Sequence, residues 1–495
     1  VNTTKLLLIL AVLAAVALGL VITTLQPAPQ VIEETTTTIA QTSQQNQVWQ
    51  GALDAGGGNK LRVVLRISVA ADGALSGTLD SIDQGALNLP IDTITLQDQK
   101  LHFEMKTIGA LFDGTLNPDG TEISGTWNQA GSATPLVFEK SSANAVAAVT
   151  KRPQDPTKPY PYHEEEISFK NQSAGDVLAG TLTMPSAGGP FAAAVLITGS
   201  GAQDRNEELL NHRPFLVLAD YLTRQGIAVL RYDDQGFGKS TGDFSAATSA
   251  DFATDVQSAV EFLKSRKEID PARIGLIGHS EGGLIAPMVA AHDSDISFIV
   301  LMAGTGVPGS AIIEAQWAAI ERAQGISDDA IAKAGDLQMR IDDVVKAEKD
   351  DAVAAQKIRD LFKETETWTA EEKSALSSGE ENADALIKTL LSPWFRFFLA
   401  YDPAPALQSV KCPVLVLNGE HDLQVLPSQN LPPIVAALEA GGTADYTIIK
   451  LPKLNHLFQT STTGSPNEYS KIEETISPVA LKIVGNWILA HTQKR

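Results

Sequence analysis

Cysteine is almost missing from this 495-residue chain. Cys412 stands alone, so no intrachain disulfide can form in any compartment. There is no H-E-x-x-H pair and no cysteine–histidine ligand set, so neither a metal nor another cofactor is implied. Basic tracts are lacking too. With a formal net charge of −21 and no run of lysine or arginine to neutralise phosphates, nucleic acid is excluded as a partner. A strongly anionic substrate would meet the same long-range repulsion unless a local pocket offset it.

What is present is an apolar fraction of 43%, enough for real cores, in a chain long enough for one large α/β domain and a smaller one. Lys5 precedes an uncharged run from Leu6 to Leu25, which suits a secretion signal or a single membrane anchor. The Thr23–Pro27 stretch is a poor cleavage site, which tips the expectation toward an uncleaved anchor. Either reading places the rest of the chain outside the cytoplasm. Gln26 to Gln47, rich in Thr, Gln, Pro and Ser, reads as a flexible tether.

Val48 to Lys140 shows short alternating segments punctuated by glycine turns such as Asp72-Gly73 and Asp119-Gly120. That rhythm predicts a small all-β domain, an antiparallel sheet or barrel. It holds no nucleophile–base pair. Its one histidine, His102, reads as a sheet-surface residue, and the polar Asp80–Ala86 segment as a braced loop. Ser141 to Pro161 is a connector with a proline-rich end.

From Tyr162 to the end, apolar runs alternate with helical segments. An initial hairpin, Glu166–Lys170 with Val177–Met184, precedes buried strands at Ala192–Thr198, Ile227–Arg231, Ile274–Ile277, Phe298–Ala303, Val414–Leu417 and Tyr446–Ile449. This is the pattern of an α/β domain with a mostly parallel sheet covered on both faces. Ala311 to Asp402 interrupts it with polar-rich helical periodicity, a cap within the domain. Its aromatic residues, Trp317, Trp368, Trp394, Phe395, Phe397 and Phe398, can pack the cap helices or line an acyl pocket beneath a lid.

The chemistry centres on Gly278-His279-Ser280-Glu281-Gly282-Gly283, between the strand ending at Ile277 and a helix starting near Gly283. A G-x-S-x-G string in that setting places Ser280 on a nucleophile elbow. A base and an orienting acid are expected at the ends of later strands. Asp422 follows the strand ending at Leu417, and His456 follows the one ending at Ile449. Loops at the carboxyl ends of parallel strands share one sheet edge, so Ser280, Asp422 and His456 can meet as a catalytic triad. His421 is a rival base and Glu420 a fallback acid.

Oxyanion donors are expected from the Glu281 amide and from the amide of Ser200 or Gly201, in the turn after Thr198-Gly199. Gly199, Asp204 and Arg205 would organise that turn, with Arg205 reading a substrate carboxylate as the rarer alternative. The Glu281 side chain would bond Arg205, another loop group or a substrate amine. Arg231–Ser240 looks like a phosphate loop but lacks its spacing and reads as a tight turn.

Three segments then carry a resemblance: Gly199-Ser200-Gly201-x-Gln203-Asp204-Arg205-Asn206-Glu207, Arg231-Tyr232-Asp233-Asp234-x-Gly236-x-Gly238-x-Ser240, and the elbow hexapeptide. They resemble a bacterial family of exported α/β-hydrolases that carry a small β domain before the catalytic one and a helical cap within it. Asp80-Ser81-x-Asp83-Gln84-Gly85-Ala86 is similar to that family's first domain. Gln235 departs from it, since similar turns commonly have arginine there. The resemblance implies carboxylesterase activity toward short acyl esters, with related sequences labelled serine aminopeptidase-like, and maps the triad to Ser280, Asp422 and His456. The expected substrate is thus a small ester. The alternatives are an aminopeptidase or amidase of the same fold, and a surface binding protein built on an inactive hydrolase scaffold.

Overall fold

The computed structural model describes residues 45–56, 59–70, 73–82, 86–129, 132–141, 152–376 and 383–492. The hydrophobic run at 1–25, nearly all of the tether, residues 83–85 of the polar loop and residues 142–151 of the connector lie outside them. The described residues divide into two units, one within 45–141 and the other within 152–492.

The first unit is one antiparallel sheet of nine strands: β1 Gln45–Gly56, β2 Asn59–Val69, β3 Leu75–Ser81, β4 Ala86–Pro90, β5 Thr93–Gln97, β6 Lys100–Met105, β7 Ala110–Leu116, β8 Glu122–Gln129 and β9 Ser132–Ser141. Their spatial order is β4-β3-β2-β1-β9-β8-β7-β6-β5. Only Ile91 and Asp92 join the edge strands β4 and β5, so the sheet must curl until its edges nearly meet. Alternation decides which face is inside. In β6, Leu101, Phe103 and Met105 are buried while their neighbours are not. Phe103 stacks on Phe112, whose ring meets Phe138 edge-on, and Trp49, Trp127 and Leu65 complete the filling. His102 sits on the outer face against Asp113, 2.8 Å away.

The second unit contains an eight-stranded mixed sheet: β10 Tyr162–Lys170, β11 Val177–Pro185, β12 Phe191–Ile197, β13 Ala228–Tyr232, β14 Ile269–His279, β15 Phe298–Met302, β16 Val414–Gly419 and β17 Tyr446–Leu451. They lie in the order β10-β11-β13-β12-β14-β15-β16-β17. β10 and β11 pair antiparallel, and β11 is antiparallel to β13; every later pairing is parallel. The central strands have no solvent face. All five residues of β13 and of β15 are buried, as unbroken apolar runs in a doubly covered sheet should be. Two clusters of side chains, one on each face, seal them beneath helices that include α1 Pro214–Arg224, α2 Ser249–Lys264, α3 Glu281–Ala290 and, at the C-terminus, Pro478–Thr492.

Between β15 and β16 the chain leaves the sheet for a run of helices that includes α4 Gly309–Ala323, α5 Asp328–Ala347, α6 Asp351–Phe362, α7 Ala370–Ala375, α8 Ala383–Leu390 and α9 Pro393–Ala400. At the start of α7, Thr369 and Glu372 form both halves of a capping box. The aromatic residues divide into two groups. Trp317 packs on Ala330, Ile331, Ala334 and Trp368 inside the cap, its indole donating to the Ala375 carbonyl at 2.8 Å. Trp394, Phe395 and Phe398 instead join the main core, with Trp394 and Phe398 stacked at 5.3 Å. The described end of the connector lies on this unit: Arg152 donates to the carbonyls of Leu210, Ser470 and Ile472.

Candidate active site

β14 runs straight into α3 through Ser280, which has φ 53° and ψ −114°. A non-glycine residue rarely adopts that geometry, which costs on the order of 1–3 kcal/mol and persists only where the surroundings enforce it. Here the Ser280 amide donates to the Met302 carbonyl of β15 at 2.8 Å. The glycines are required by contact. A Cβ on Gly278 would lie 1.9 Å from the Gly282 carbonyl oxygen, and one on Gly282 would lie 2.2 Å from that of Ile197. Strand, turn and helix are closer than any side chain permits, which is how the serine hydroxyl is lifted onto the sheet edge.

Asp422 and His456, the expected acid and base, come together. His456 Nδ1 donates to Asp422 at 2.9 Å to Oδ2 and 3.1 Å to Oδ1, and both residues are buried. Asp422 Oδ1 also accepts the amides of Gln424 and Val425, so the carboxylate is held in place and its charge compensated. With Nδ1 bearing the proton, Nε2 is the nitrogen left to accept one. The His456 loop is clamped by Asn455 and Gln459, which exchange main-chain and side-chain hydrogen bonds. The rivals lie elsewhere. His421 faces the Ser461 carbonyl, and Glu420 receives the Lys453 amide on an exposed edge.

Ser280 and His456 are not hydrogen-bonded to each other among the described residues. Catalytic contacts are often loose before substrate binds. What joins their loops is His279, whose Nε2 reaches the His456 carbonyl at 3.0 Å. Its Nδ1 meets Glu207 Oε1 at 2.9 Å, and the same oxygen accepts the Gly199 amide at 2.8 Å. That bond occupies the Gly199 N–H and leaves the next amides, Ser200 and Gly201, as candidate oxyanion donors beside that of Glu281.

Asp204 organises its own turn, accepting the amides of Asn206 and Glu208 and the Asn206 side chain. Arg205 braces the turn against the sheet, with a bidentate pair to Asp233 at 2.8 and 2.9 Å and further bonds to Glu166 and Thr181. Four of the five guanidinium N–H donors are thus committed to the protein, which makes Arg205 a brace of the turn. The Glu281 carboxyl turns inward: Oε1 accepts the Ser249 hydroxyl at 2.5 Å and the Trp394 indole N–H at 2.8 Å. Burial pushes its pKa up, opposed by those donors. Sequence reasoning gave Glu207 and Ser249 no role of their own and gave Trp394 only packing or pocket lining. Glu207 lies within the motif after β12, but nothing local pairs it with His279.

Numbered within its own sheet, the second unit runs 1-2-4-3-5-6-7-8, with an elbow after strand 5, an acid after strand 7 and a histidine after strand 8. That architecture is the α/β-hydrolase fold, and the sequence is similar to hydrolases and esterases of that fold. Residues 213–366 match the family described as serine aminopeptidase, S33, a stretch that holds the elbow and part of the cap but neither Asp422 nor His456. Over 364 residues the chain is 24% identical to esterase EstD of Thermotoga maritima, covering 73% of this chain and 75% of that protein. A 145-residue stretch, 29% of this chain, is 32% identical to thiohydrolase apmlB of Arthrinium phaeospermum and spans 44% of it. Among solved structures, Pyrococcus furiosus esterase PF2001 gives a TM-score of 0.41 at 14% identity, over 69% of this chain and 97% of that one. The fold assignment therefore rests on strand order and the elbow, not on superposition.

Proposed function

We propose that this protein is a serine carboxylesterase that hydrolyses small acyl esters outside the cytoplasm. The observation that supports it most directly is the buried Asp422–His456 pair, carried at the same sheet edge as the strained elbow serine. In this reading His456 Nε2 takes the Ser280 proton as the hydroxyl attacks the ester carbonyl, and the tetrahedral oxyanion forms against the Glu281 amide and that of Ser200 or Gly201. His456 then protonates the leaving alkoxide. Water, deprotonated by the same nitrogen, releases the acid from the acyl-enzyme. Asp422 fixes the imidazole tautomer and stabilises its charge. The esterase relative supports the reaction class. The apolar run at Leu6–Leu25 supports export or anchoring.

A second reading, aminopeptidase, draws on the serine aminopeptidase match. It needs an anionic group to hold a substrate ammonium. Glu281, the acid nearest the nucleophile in sequence, is buried and already engaged by Ser249 and Trp394, which weighs against it. An inactive scaffold has no use for backbone strain at Ser280. Turnover of an acyl-ester length series against aminoacyl amides, with Ser280→Ala as the blank, tests the choice. Faster ester hydrolysis is expected, and a preference for aminoacyl amides would reverse the assignment.

A further inference from the structure

Three loops must keep register for the proposed reaction, and one buried pair touches all of them. Glu207 Oε1 binds the Gly199 amide, on the loop that presents Ser200 and Gly201, and His279 Nδ1, on the elbow; His279 Nε2 then binds the carbonyl of His456 itself. Glu207 sits at φ 52°, an unfavourable place for a long side chain, held there by its amide bond to the Asp204 carbonyl. Glu207, His279 and His456 are each less than a tenth exposed.

The partners dictate the protonation state. A carboxylate and a carbonyl are both acceptors, so both ring nitrogens of His279 must donate, and only the imidazolium can do that. We propose, on the footing of the serine-hydrolase reading, that Glu207 and His279 form a positioning ion pair that locks the oxyanion loop, the elbow and the main chain of the base into one register. The charged or titratable groups facing His279 are Glu207 from the loop after β12, the His456 ring at 4.9 Å between centroids from the loop after β17, and Asp422 from the loop after β16. Burial alone would lower the His279 pKa. The Glu207 charge and hydrogen bond outweigh it, with help from the His456 carbonyl and Asp422, so the balance is upward.

Replacing Glu207 by Gln keeps an acceptor for the Gly199 amide but removes the counter-charge. His279 then loses its second proton at lower pH, and the neutral ring can donate to only one of its two acceptors, so the link between elbow and base loop is no longer enforced at both ends. Two measurements on the full chain decide the matter. Long-range 1H–15N correlation of histidine-labelled protein at pH 7.5, with His279→Gln for assignment, should show His279 protonated on both nitrogens, and Glu207→Gln should abolish that signature. In ester hydrolysis, Glu207→Gln should lower kcat at pH 8 about tenfold or more, a fraction of a general-base contribution, with KM within about twofold. The alkaline fall of kcat/KM should move to lower pH while the acid limb stays, and Glu207→Asp should largely restore the wild-type profile.

A neutral His279 ring in active wild-type enzyme, or an unchanged kcat and pH profile in Glu207→Gln, overturns the proposal. Should Glu207→Gln fail to fold, the wild-type spectrum still decides it. Absence of turnover toward every ester and amide would instead remove the serine-hydrolase reading, an outcome the spectrum alone cannot produce.

Discussion

The Trp394 indole N–H donates to Glu281 Oε1 across 2.8 Å, joining the last long cap helix to the residue whose amide directly follows the elbow serine. The cap is thereby tied to the hydrolase core at the point where an oxyanion would be stabilised. Substitution at Glu281 should divide according to whether an acceptor remains. Glu281→Gln keeps one for Trp394 and Ser249 and should cost under about 1 kcal/mol. Glu281→Leu leaves both donors unpaired in the core and should cost about 2 kcal/mol or more. Urea unfolding of the two variants, read beside kcat, checks this.

The elbow glycines make a steric prediction. Gly282→Ala would drive a methyl group to 2.2 Å from the Ile197 carbonyl oxygen, a backbone atom that cannot swing away. The variant should lose about 1–3 kcal/mol of stability, and should lose activity even at temperatures where it stays folded, because α3 must shift relative to Ser280. Normal kcat in folded Gly282→Ala would contradict the tight-elbow geometry.

Much of this was legible in the sequence because hydrophobic runs and glycine motifs are local signals. The strands feeding Ser280, Asp422 and His456 are unbroken apolar stretches, and their carboxyl ends face one edge whatever lies between them. Other elements were hidden for physical reasons. The helix Pro427–Ala440 carries Pro432 and Pro433, which read locally as breakers. Strand β1 begins Gln-Asn-Gln and ends near glycine, so only its neighbours in the sheet reveal it. The pairings of Glu207, Ser249 and Trp394 were not readable because their contacts with residues 279 and 281 cross 32 to 113 positions. Arg205 was expected to organise the turn, and its commitment to Asp233 depends on tertiary packing that no local pattern shows.

Buried His212 predicts an acid weakness. Its ring hydrogen-bonds Thr475 and the Tyr469 carbonyl, and burial lowers its pKa from the usual 6.5 to about 4. The unfolded chain takes up this proton first as pH falls, so stability should drop between about pH 6.5 and 4, by roughly 3 kcal/mol at the limit. His212→Gln should flatten that part of the stability–pH curve measured by urea unfolding.

Asp255 predicts the opposite slope. It is buried beside a small cavity that Asp234 and Glu281 also line, and burial raises its pKa from 3.8 to about 7. The unfolded state loses this proton first, so stability should fall as pH rises from about 4 to 7, by up to roughly 4 kcal/mol. Asp255→Asn can still accept from Asn171. It should therefore be more stable than wild type at pH 8 and nearly equal to it at pH 4. Equal stability at both pH values would contradict the assignment.

The central claim is that Ser280 is a nucleophile activated by His456. Intact-mass and peptide analysis after treatment with a fluorophosphonate tests it most directly. One adduct per chain, on Ser280, absent in Ser280→Ala and formed at least about a hundredfold more slowly in His456→Ala, is the predicted result. Labelling elsewhere, or equal labelling rates with and without the imidazole, would contradict it.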